Sequence, residues 1–199
     1  MNHPDARPGP AGPGPLRVLH VLEAVRGGTS RHVLDIVRHA RGVGHTVAVA
    51  RPGDPAGGND GSGAAYDHRA VEAMARAGAR IVEVPMTRTP WAPANGVAVV
   101  RLRRLIASEQ PDVVHGHSSV GGALARLAGR AGPAPVLYTA NGLARSRPYV
   151  LVERALGRLT DRWIAVSASE AEQALRLELV EPGQLAVVPN GIDLEAPPP

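Results

Sequence analysis

The residues with the clearest chemical potential are two histidines one residue apart, His115 and His117, which follow a short apolar run. A neutral imidazole can donate a proton to a hydroxyl group or accept one from it near pH 7. Side chains at i and i+2 of a strand could share a metal ion, but the sequence has no cysteine and shows no group of Asp, Glu or His to complete the ligands. We therefore expect no metal, a strand that ends at His115, and His117 on the adjoining loop as the candidate catalytic residue. The alternative is that His117 is a histidine at a helix N-terminus with no chemical role.

A second candidate site lies between an apolar run that ends at Leu22 and an amphipathic helix that we expect to begin near Thr29 or Ser30. The loop between them holds Gly27 and Gly28. A helix N-terminus offers unpaired N–H groups and about half a unit of positive charge, which suits an anion such as a diphosphate. Two adjacent glycines are not the G-x-G-x-x-G fingerprint of dinucleotide-binding proteins, so a simple tight turn is the alternative. Gly27, Gly28 and Thr29 are the candidate diphosphate-binding residues.

Polar residues also follow other predicted strands. Ser118 comes directly after the two histidines, Asn141 belongs to an Asn-Gly turn pair, and Ser167 follows an apolar run. Ser167 with Glu170 three residues later fits a capping box, which predicts that a helix starts there. We expect Ser118, Asn141 and Ser167 to line a cleft.

The elements that must position these residues alternate between strands and helices. Apolar runs predict strands at residues 16–22, 45–50, 80–84, 112–115, 135–139, 162–166 and 185–188. Helical periodicity fills the intervals, and we expect Gly121 and Gly122 to let one of these helices pack closely. The alternation predicts an α/β fold, a doubly wound Rossmann-like parallel sheet of about seven strands with helices on both faces. Such sheets bind ligands at the carboxyl ends of their strands.

Composition narrows the class of protein. The 199 residues are 44% hydrophobic, and no apolar run approaches the roughly 20 residues that span a bilayer. The net charge is +4, but every basic residue is an arginine, the arginines are scattered, and aromatic residues are only 3% of the chain. We therefore expect no nucleic-acid partner. The first 15 residues have no apolar core of a signal peptide, so we expect a flexible tail and a cytoplasmic protein.

Four stretches, in their order along residues 16–194, resemble the N-terminal half of glycosyltransferase family 4. That family has the GT-B architecture, in which two Rossmann-like domains face each other across a cleft. The stretches are LHVLEAVRGGTSRHVLDIVRHARGVGHTVAVARP, PDVVHGHSSVGGALARLAG, PVLYTANGL, and DRWIAVSASEAEQAL followed by VVPNGID. The ordered set is far more specific than any one motif.

The resemblance implies a role for each candidate residue. Gly27 and Gly28 would approach the diphosphate of a nucleotide-sugar donor, and His117 would stand near the reacting sugar. Asn190 would open the segment that leads into the second domain, and the residues that line the cleft would include Ser118, Asn141, Ser167 and Asn190. The family generally retains the anomeric configuration and needs no metal, so a nucleotide sugar as co-substrate is implied and a cofactor is not.

The domain organisation implied by the resemblance is a tail at residues 1–15, a Rossmann-like domain at 16–189 and the start of an interdomain hinge at 190–199. We expect the donor-binding domain to lie outside this chain, in cis or in trans, and the chain alone to be a poor catalyst. The E-x7-E motif of the family belongs to that other half, and we treat the same spacing of Glu170 and Glu178 as chance. The lysine that the family often places against the diphosphate has no counterpart.

Two other functions fit the same residues. The domain could be a non-catalytic module that binds a carbohydrate or another acceptor, or half of a nucleotide-sugar 2-epimerase, which shares the two-domain architecture. In the transferase interpretation the acceptor is a carbohydrate or a lipid, and peripheral contact with a membrane is compatible with the sequence.

Overall fold

A seven-stranded parallel sheet forms the centre of the molecule, in the strand order β3-β2-β1-β4-β5-β6-β7. The computed structural model of the protein describes residues 14–51, 66–143 and 146–191. The strands are β1 Leu16–Leu22, β2 Val43–Ala50, β3 Arg80–Val84, β4 Val113–His117, β5 Val136–Thr139, β6 Arg162–Ala165 and β7 Leu185–Val187. The helices are α1 Gly27–His39, α2 His68–Arg76, α3 Pro93–Glu109, α4 Ser119–Gly129, α5 Arg147–Gly157 and α6 Ala168–Arg176.

The two faces of the sheet carry different helices because the side chains of a strand alternate between faces. Leu22 and Val47 pack with Val33 of α1 and Met74 of α2. On the other face, Leu19 packs with residues of α3 and α4, while Tyr138 and Trp163 pack with α6. The predicted doubly wound Rossmann-like fold with helices on both faces is confirmed.

The strand order reverses between β1 and β4. Strands are added outward from β1 to β3 on one side and from β4 to β7 on the other, so β1 and β4 are neighbours although β2 and β3 separate them in sequence. The connections leave a crevice at the carboxyl ends of these two strands, which is where open α/β sheets bind their ligands.

Glycines let α4 lie close to the sheet. A Cβ atom on Gly122 would come within 2.1 Å of the Tyr138 ring, and one on Gly116 would come within 2.7 Å of the Ala125 Cβ. A Cβ atom on Gly121 would lie 2.9 Å from the backbone nitrogen of Glu23. The interpretation of Gly121 and Gly122 as packing residues therefore agrees with the structure.

A buried ion pair joins α4 to α5 on the same face. Arg126 and Glu153 are almost fully buried and form two parallel contacts, Nη1 to Oε2 at 2.8 Å and Nη2 to Oε1 at 3.1 Å. The guanidinium carbon of Arg126 also lies 3.9 Å from the centroid of the Tyr138 ring. This pair fixes the position of α4, whose N-terminus borders the crevice.

Two predicted boundaries are wrong in ways that matter for the site. β4 continues to His117, and α1 begins at Gly27. The capping serine at position 167 is correct, since its Oγ accepts a hydrogen bond from the Glu170 nitrogen at 3.1 Å. The predicted loop at 51–67, the tail at 1–15 and the hinge at 190–199 lie largely outside the described residues.

Candidate functional site

The crevice between β1 and β4 is bordered by the first turns of α1 and α4. Leu22, the last residue of β1, stands opposite His117, the last residue of β4, in the register of the two strands. The carboxyl end of β4 therefore places His117 at the base of this crevice, next to the chain that leads from β1 into α1.

The glycine pair opens α1. Gly27 has a left-handed backbone with φ +57, which explains a glycine there, and a Cβ atom at Gly28 would meet no atom within 4 Å. Gly27 and Gly28 are exposed, Thr29 is half-buried, and no acidic residue or side-chain cap occupies the first turn of the helix. The N–H groups and the positive end of the helix dipole consequently face outward, with no carboxylate from the first turn of the helix itself beside them.

His117 is fully buried, which corrects the expectation that it lies on a loop. The loop prediction failed because a histidine at the end of an apolar run looks like the first polar residue after a strand. The His117 Nε2 atom is 3.0 Å from Nδ1 of His20, and His20 Nε2 is 3.1 Å from Nδ1 of His45. Within the described residues, His117 Nδ1 and His45 Nε2 have no hydrogen-bond partner.

A fourth histidine extends this cluster on the face that carries α1. His115 Nε2 is 2.8 Å from the Thr139 hydroxyl, and its ring centroid lies 4.0 Å from that of His117. Burial lowers the pKa of His115 to about 3, and nearby His32 lowers it further in the same direction. Burial also lowers the pKa of His20 and His117 well below the usual range, and the neighbouring histidines add to that effect. The buried imidazoles are thus neutral at pH 7.

A third ligand for a metal at His115 and His117 is not apparent from the sequence, and the structure provides one. Ligand atoms of His20, His115 and His117 all lie within 4.8 Å of one another. Three neutral imidazoles are a ligand set that Zn²⁺ accepts. In the structure, however, hydrogen bonds engage His20 and His117 with each other and His115 with Thr139.

His32, on α1, links that helix to the segment that follows β7. Its Nδ1 atom lies 2.7 Å from Oδ1 of Asn190, and its ring centroid is 5.6 Å from that of His117. Burial lowers the pKa of His32, while the Asn190 contact raises it in part. His32 therefore links α1, which begins at Gly27, with His117 and Asn190. No sequence motif indicated His32.

Ser118 and Asn141 follow β4 and β5 and share an uncommon backbone. Both have positive φ, at 61° and 53°. The Ser118 nitrogen donates to the Thr139 carbonyl at 3.0 Å, which ties the two strand ends together. Ser118, with φ 61 and ψ 178, lies in a strained region that favours glycine, whereas Asn141 tolerates its positive φ as part of an Asn-Gly turn.

Ser167 lies farther along the same edge and has a structural role at the start of α6. Glu170 of that helix accepts hydrogen bonds from the backbone nitrogens of Gly142 at 3.0 Å and Val166 at 3.3 Å. The buried Glu170 thus fixes the loops after β5 and β6, and Ser167 is held by its capping bond. Among the hydrogen bonds of the described residues, none joins Ser167 to His117.

The fold and this crevice define a class of protein. A doubly wound parallel sheet with a crevice at the strand reversal is a Rossmann-like domain, and solved GT-B proteins such as HepE share this fold. Residues 26–196 match the model of Glycosyltransferase Family 4. The chain belongs to glycosyltransferase family 4.

One curated relative is named as a galactosyltransferase, and solved structures share the fold. Over 107 residues the chain is 32% identical to a UDP-Gal:alpha-D-GlcNAc-diphosphoundecaprenol alpha-1,3-galactosyltransferase of Escherichia coli, covering 49% of this chain and 28% of that protein. Anabaena HepE in complex with UDP superposes with a TM-score of 0.66 at 14% identity, over 89% of this chain and 45% of HepE. Neisseria meningitidis UDP-GlcNAc 2-epimerase bound to UDP-GlcNAc gives a TM-score of 0.62 at 14% identity, over 88% of this chain and 46% of the epimerase. The chain therefore spans less than half the length of these proteins.

None of the helices in the described ranges combines the length and apolar character needed to cross a bilayer.

Proposed function

We propose that the chain forms the acceptor-side domain of a family 4 glycosyltransferase, which moves a sugar from a nucleotide-sugar donor to an acceptor hydroxyl. The observation that carries the proposal is the meeting of the glycine-opened end of α1 with His117 at the strand reversal, linked through His32. The UDP bound by HepE and the transfer named for the Escherichia coli relative support a uridine-diphosphate sugar as donor.

In this proposal the chain contributes backbone donors and one imidazole. The N–H groups of Gly27, Gly28 and Thr29 stabilise the charge that develops on the leaving diphosphate. His117 exchanges a proton with the acceptor hydroxyl as a neutral imidazole. The remaining cleft positions contact the sugars, and they are Ser118, Asn141, Ser167 and Asn190.

Access to His117 requires a local movement. His32 and its partner Asn190 lie beside His117, whose side chain is fully buried. A substrate that reaches the imidazole must displace this pair. Binding of the donor across two domains would supply that displacement, because the segment after Asn190 leads toward the proposed second domain.

The reaction is proposed to proceed with retention of anomeric configuration and without a metal or cofactor. A donor-binding domain, in cis or in trans, completes the cleft, since half a cleft cannot position both substrates or exclude water. A cytoplasmic location is part of the proposal, because a charged nucleotide sugar does not cross a bilayer unaided.

A lipid-linked saccharide is the proposed class of acceptor. The Escherichia coli relative is named for an acceptor carried on diphosphoundecaprenol. Trp91, in the loop after β3, is 83% exposed, and Val97 on α3 is also exposed, so apolar side chains are available near the carboxyl edge of the sheet for peripheral contact with a membrane.

The test measures transfer by the chain alone and by the protein completed with a donor-binding domain. UDP-galactose and UDP-N-acetylglucosamine are the donor probes, and a short-chain lipid diphosphate that carries N-acetylglucosamine is the acceptor probe. We expect little turnover by the 199-residue chain and transfer by the completed protein. Robust turnover by the isolated chain would contradict the need for a donor domain. Tight acceptor binding with no transfer in the completed protein would favour the binding module.

A second function is favoured by one comparison. The Neisseria meningitidis epimerase superposes over 88% of this chain, as the transferases do. Proton NMR of the recovered sugar nucleotide separates the two reactions, because inversion at C2 of the sugar without an acceptor product would identify an epimerase.

A further inference from the structure

Three imidazoles on neighbouring strands form a continuous chain of hydrogen bonds beneath α1. His45 on β2, His20 on β1 and His117 on β4 are joined by N···N distances of 3.1 and 3.0 Å. This series of hydrogen-bonded rings runs from His45, near the amino end of β2, to His117, the last residue of β4, so it crosses the sheet toward the crevice. All three side chains are buried.

The two ends of the chain share an unusual feature. Within the described part of the protein, the buried atoms His117 Nδ1 and His45 Nε2 have no partner at hydrogen-bond distance, although a hydrogen bond with the Ala40 backbone raises the pKa of His45. A neutral imidazole has one N–H, and each N···N contact needs one proton. Only two arrangements satisfy both contacts, either with all three protons on Nε2 or with all three on Nδ1. The two arrangements differ in which end of the chain holds an unpaired N–H.

The surroundings favour the arrangement with the protons on Nε2. His45 lines a cavity of about 220 Å³ at the amino edge of the sheet, whereas His117 is fully buried. An unpaired N–H is more costly in a dry site than beside a cavity that admits water. The unpaired N–H therefore belongs at His45, and the bare Nδ1 belongs at His117, where it can accept a proton.

We propose that His20 and His45 are positioning residues that hold the proton-accepting tautomer of His117 and carry the accepted proton to the opposite edge of the sheet. The inference rests on the proposed function, in which His117 exchanges a proton with the acceptor hydroxyl. Two other histidines lie next to His117 but do not belong to this series of hydrogen-bonded rings. His115 is engaged with Thr139, and His32 is engaged with Asn190.

Every bond and proton in the transfer is accounted for. The acceptor oxygen bonds to the anomeric carbon, the bond from that carbon to the diphosphate oxygen breaks with its electron pair on the diphosphate, and the hydroxyl proton passes to His117 Nδ1. The Nε2 proton of His117 moves to His20 Nδ1, and that of His20 moves to His45 Nδ1. The Nε2 proton of His45 leaves to water. Each ring ends neutral. The first arrangement returns when water protonates His45 Nε2, the protons move back along the three rings, and His117 Nδ1 releases its proton to the diphosphate product or to water in the crevice.

The decisive experiment reads the tautomers directly. Two-bond ¹H–¹⁵N NMR of the ¹⁵N-histidine-labelled protein distinguishes a protonated ring nitrogen from a bare one, and EDTA in the sample removes any metal. The expected result at pH 7.5 is Nε2–H on His20, His45 and His117. Any other distribution overturns the inference, and so does a shift of these signals on adding EDTA, which would assign the three-histidine group to a metal.

A matched pair of variants tests the coupling. His45→Phe keeps a ring and removes both nitrogens at the end of the chain, and His115→Phe makes the same change in the same buried layer outside the chain. We expect His45→Phe to populate Nδ1–H on His117, two rings away, and His115→Phe to leave it on Nε2. An unchanged His117 in His45→Phe would overturn the inference. If His45→Phe does not fold, the wild-type distribution still decides.

Activity supplies a separate readout. In the completed protein, His45→Phe is expected to lower kcat about tenfold with KM unchanged, because the proton-transfer step alone is affected. A completed protein that transfers no sugar refutes the proposed function and leaves the tautomer result standing. Sugar transfer by a protein whose His20, His45 and His117 show mixed tautomers would refute only the proposed proton path through these histidines.

Discussion

The buried histidines couple the stability of the protein to pH. His20, His115 and His117 have lowered pKa values when folded, whereas an unfolded histidine titrates near 6.5. Below pH 6.5 the unfolded chain binds protons that the folded chain does not, so the free energy of unfolding falls as the pH falls. Burial also lowers the pKa values of His32 and His45, so these two residues add to the loss of stability at low pH.

Urea unfolding at pH 7.5, 6.0 and 5.5 measures this dependence. We expect the free energy of unfolding to fall steadily over this range, and His115→Gln should make the slope shallower by about one proton because the lowered pKa of His115 is then gone. The window extends from 6.5 down toward the folded pKa of His115 at about 3. A free energy of unfolding that is flat between pH 7.5 and 5.5 would show that the imidazoles are not buried as described.

We expect the His32–Asn190 pair to cover His117, because the His32 ring centroid lies 5.6 Å from that of the fully buried His117. Asn190→Ala removes the oxygen 2.7 Å from His32 Nδ1, and we expect the His32 ring to become mobile and expose His117. Acylation of His117 by diethyl pyrocarbonate, followed by mass spectrometry, should become several-fold faster. Asn190→Asp keeps an oxygen acceptor and should stay near the wild-type rate. Equal rates in the three proteins would remove the pair from any role in covering His117.

At the level of elements, the contact of α4 with the sheet depends on Gly122. A Cβ atom there would lie 2.1 Å from Tyr138 Cε2, so either the helix or the buried ring must move. We expect Gly122→Ala to lower the free energy of unfolding by about 1–3 kcal/mol. Gly96→Ala is the matched control, because Gly96 also lies in a helix and a Cβ atom there meets nothing within 4 Å. The control should be neutral or slightly stabilising. Equal denaturation midpoints for the two variants would contradict the close approach.

The ion pair between α4 and α5 is expected to behave as a buried pair. Arg126→Met leaves the Glu153 carboxylate buried without its partner, and we expect a loss of about 3–5 kcal/mol of unfolding free energy. The double variant Arg126→Met, Glu153→Leu removes both charges and should recover much of that loss. Chemical denaturation of the two variants measures the difference. A double variant as unstable as the single one would mean that the pair, and not the unpaired charge, carries the stability.

At the level of the whole molecule, local sequence patterns predicted the fold but not the buried histidines that meet beneath the crevice. Alternating apolar runs and helical stripes are properties of single segments, so the strands, the helices and the capping role of Ser167 could be predicted from them. The histidine chain joins residues 25 and 97 positions apart, and its members meet only because β2, β1 and β4 are neighbours. His20 interrupts an apolar run, and that signal could have selected it, whereas His45 stands between Gly44 and Thr46 and carries no such signal.

The location of the diphosphate site is a property of the assembled molecule, and Gly28 offers its test. Gly28 is exposed, has no left-handed backbone, and a Cβ atom there would meet no atom within 4 Å, so Gly28→Ala should change the free energy of unfolding by less than about 0.5 kcal/mol. In the completed protein the added methyl group stands where the donor diphosphate approaches the N–H groups of α1, and we expect the KM for the nucleotide sugar to rise about tenfold or more. Steady-state transfer kinetics measure this, with Gly96→Ala as a control on a distant helix. If Gly28→Ala is stable and its KM is unchanged, the glycines are only a turn, and the donor contacts of this domain must lie elsewhere along the edge.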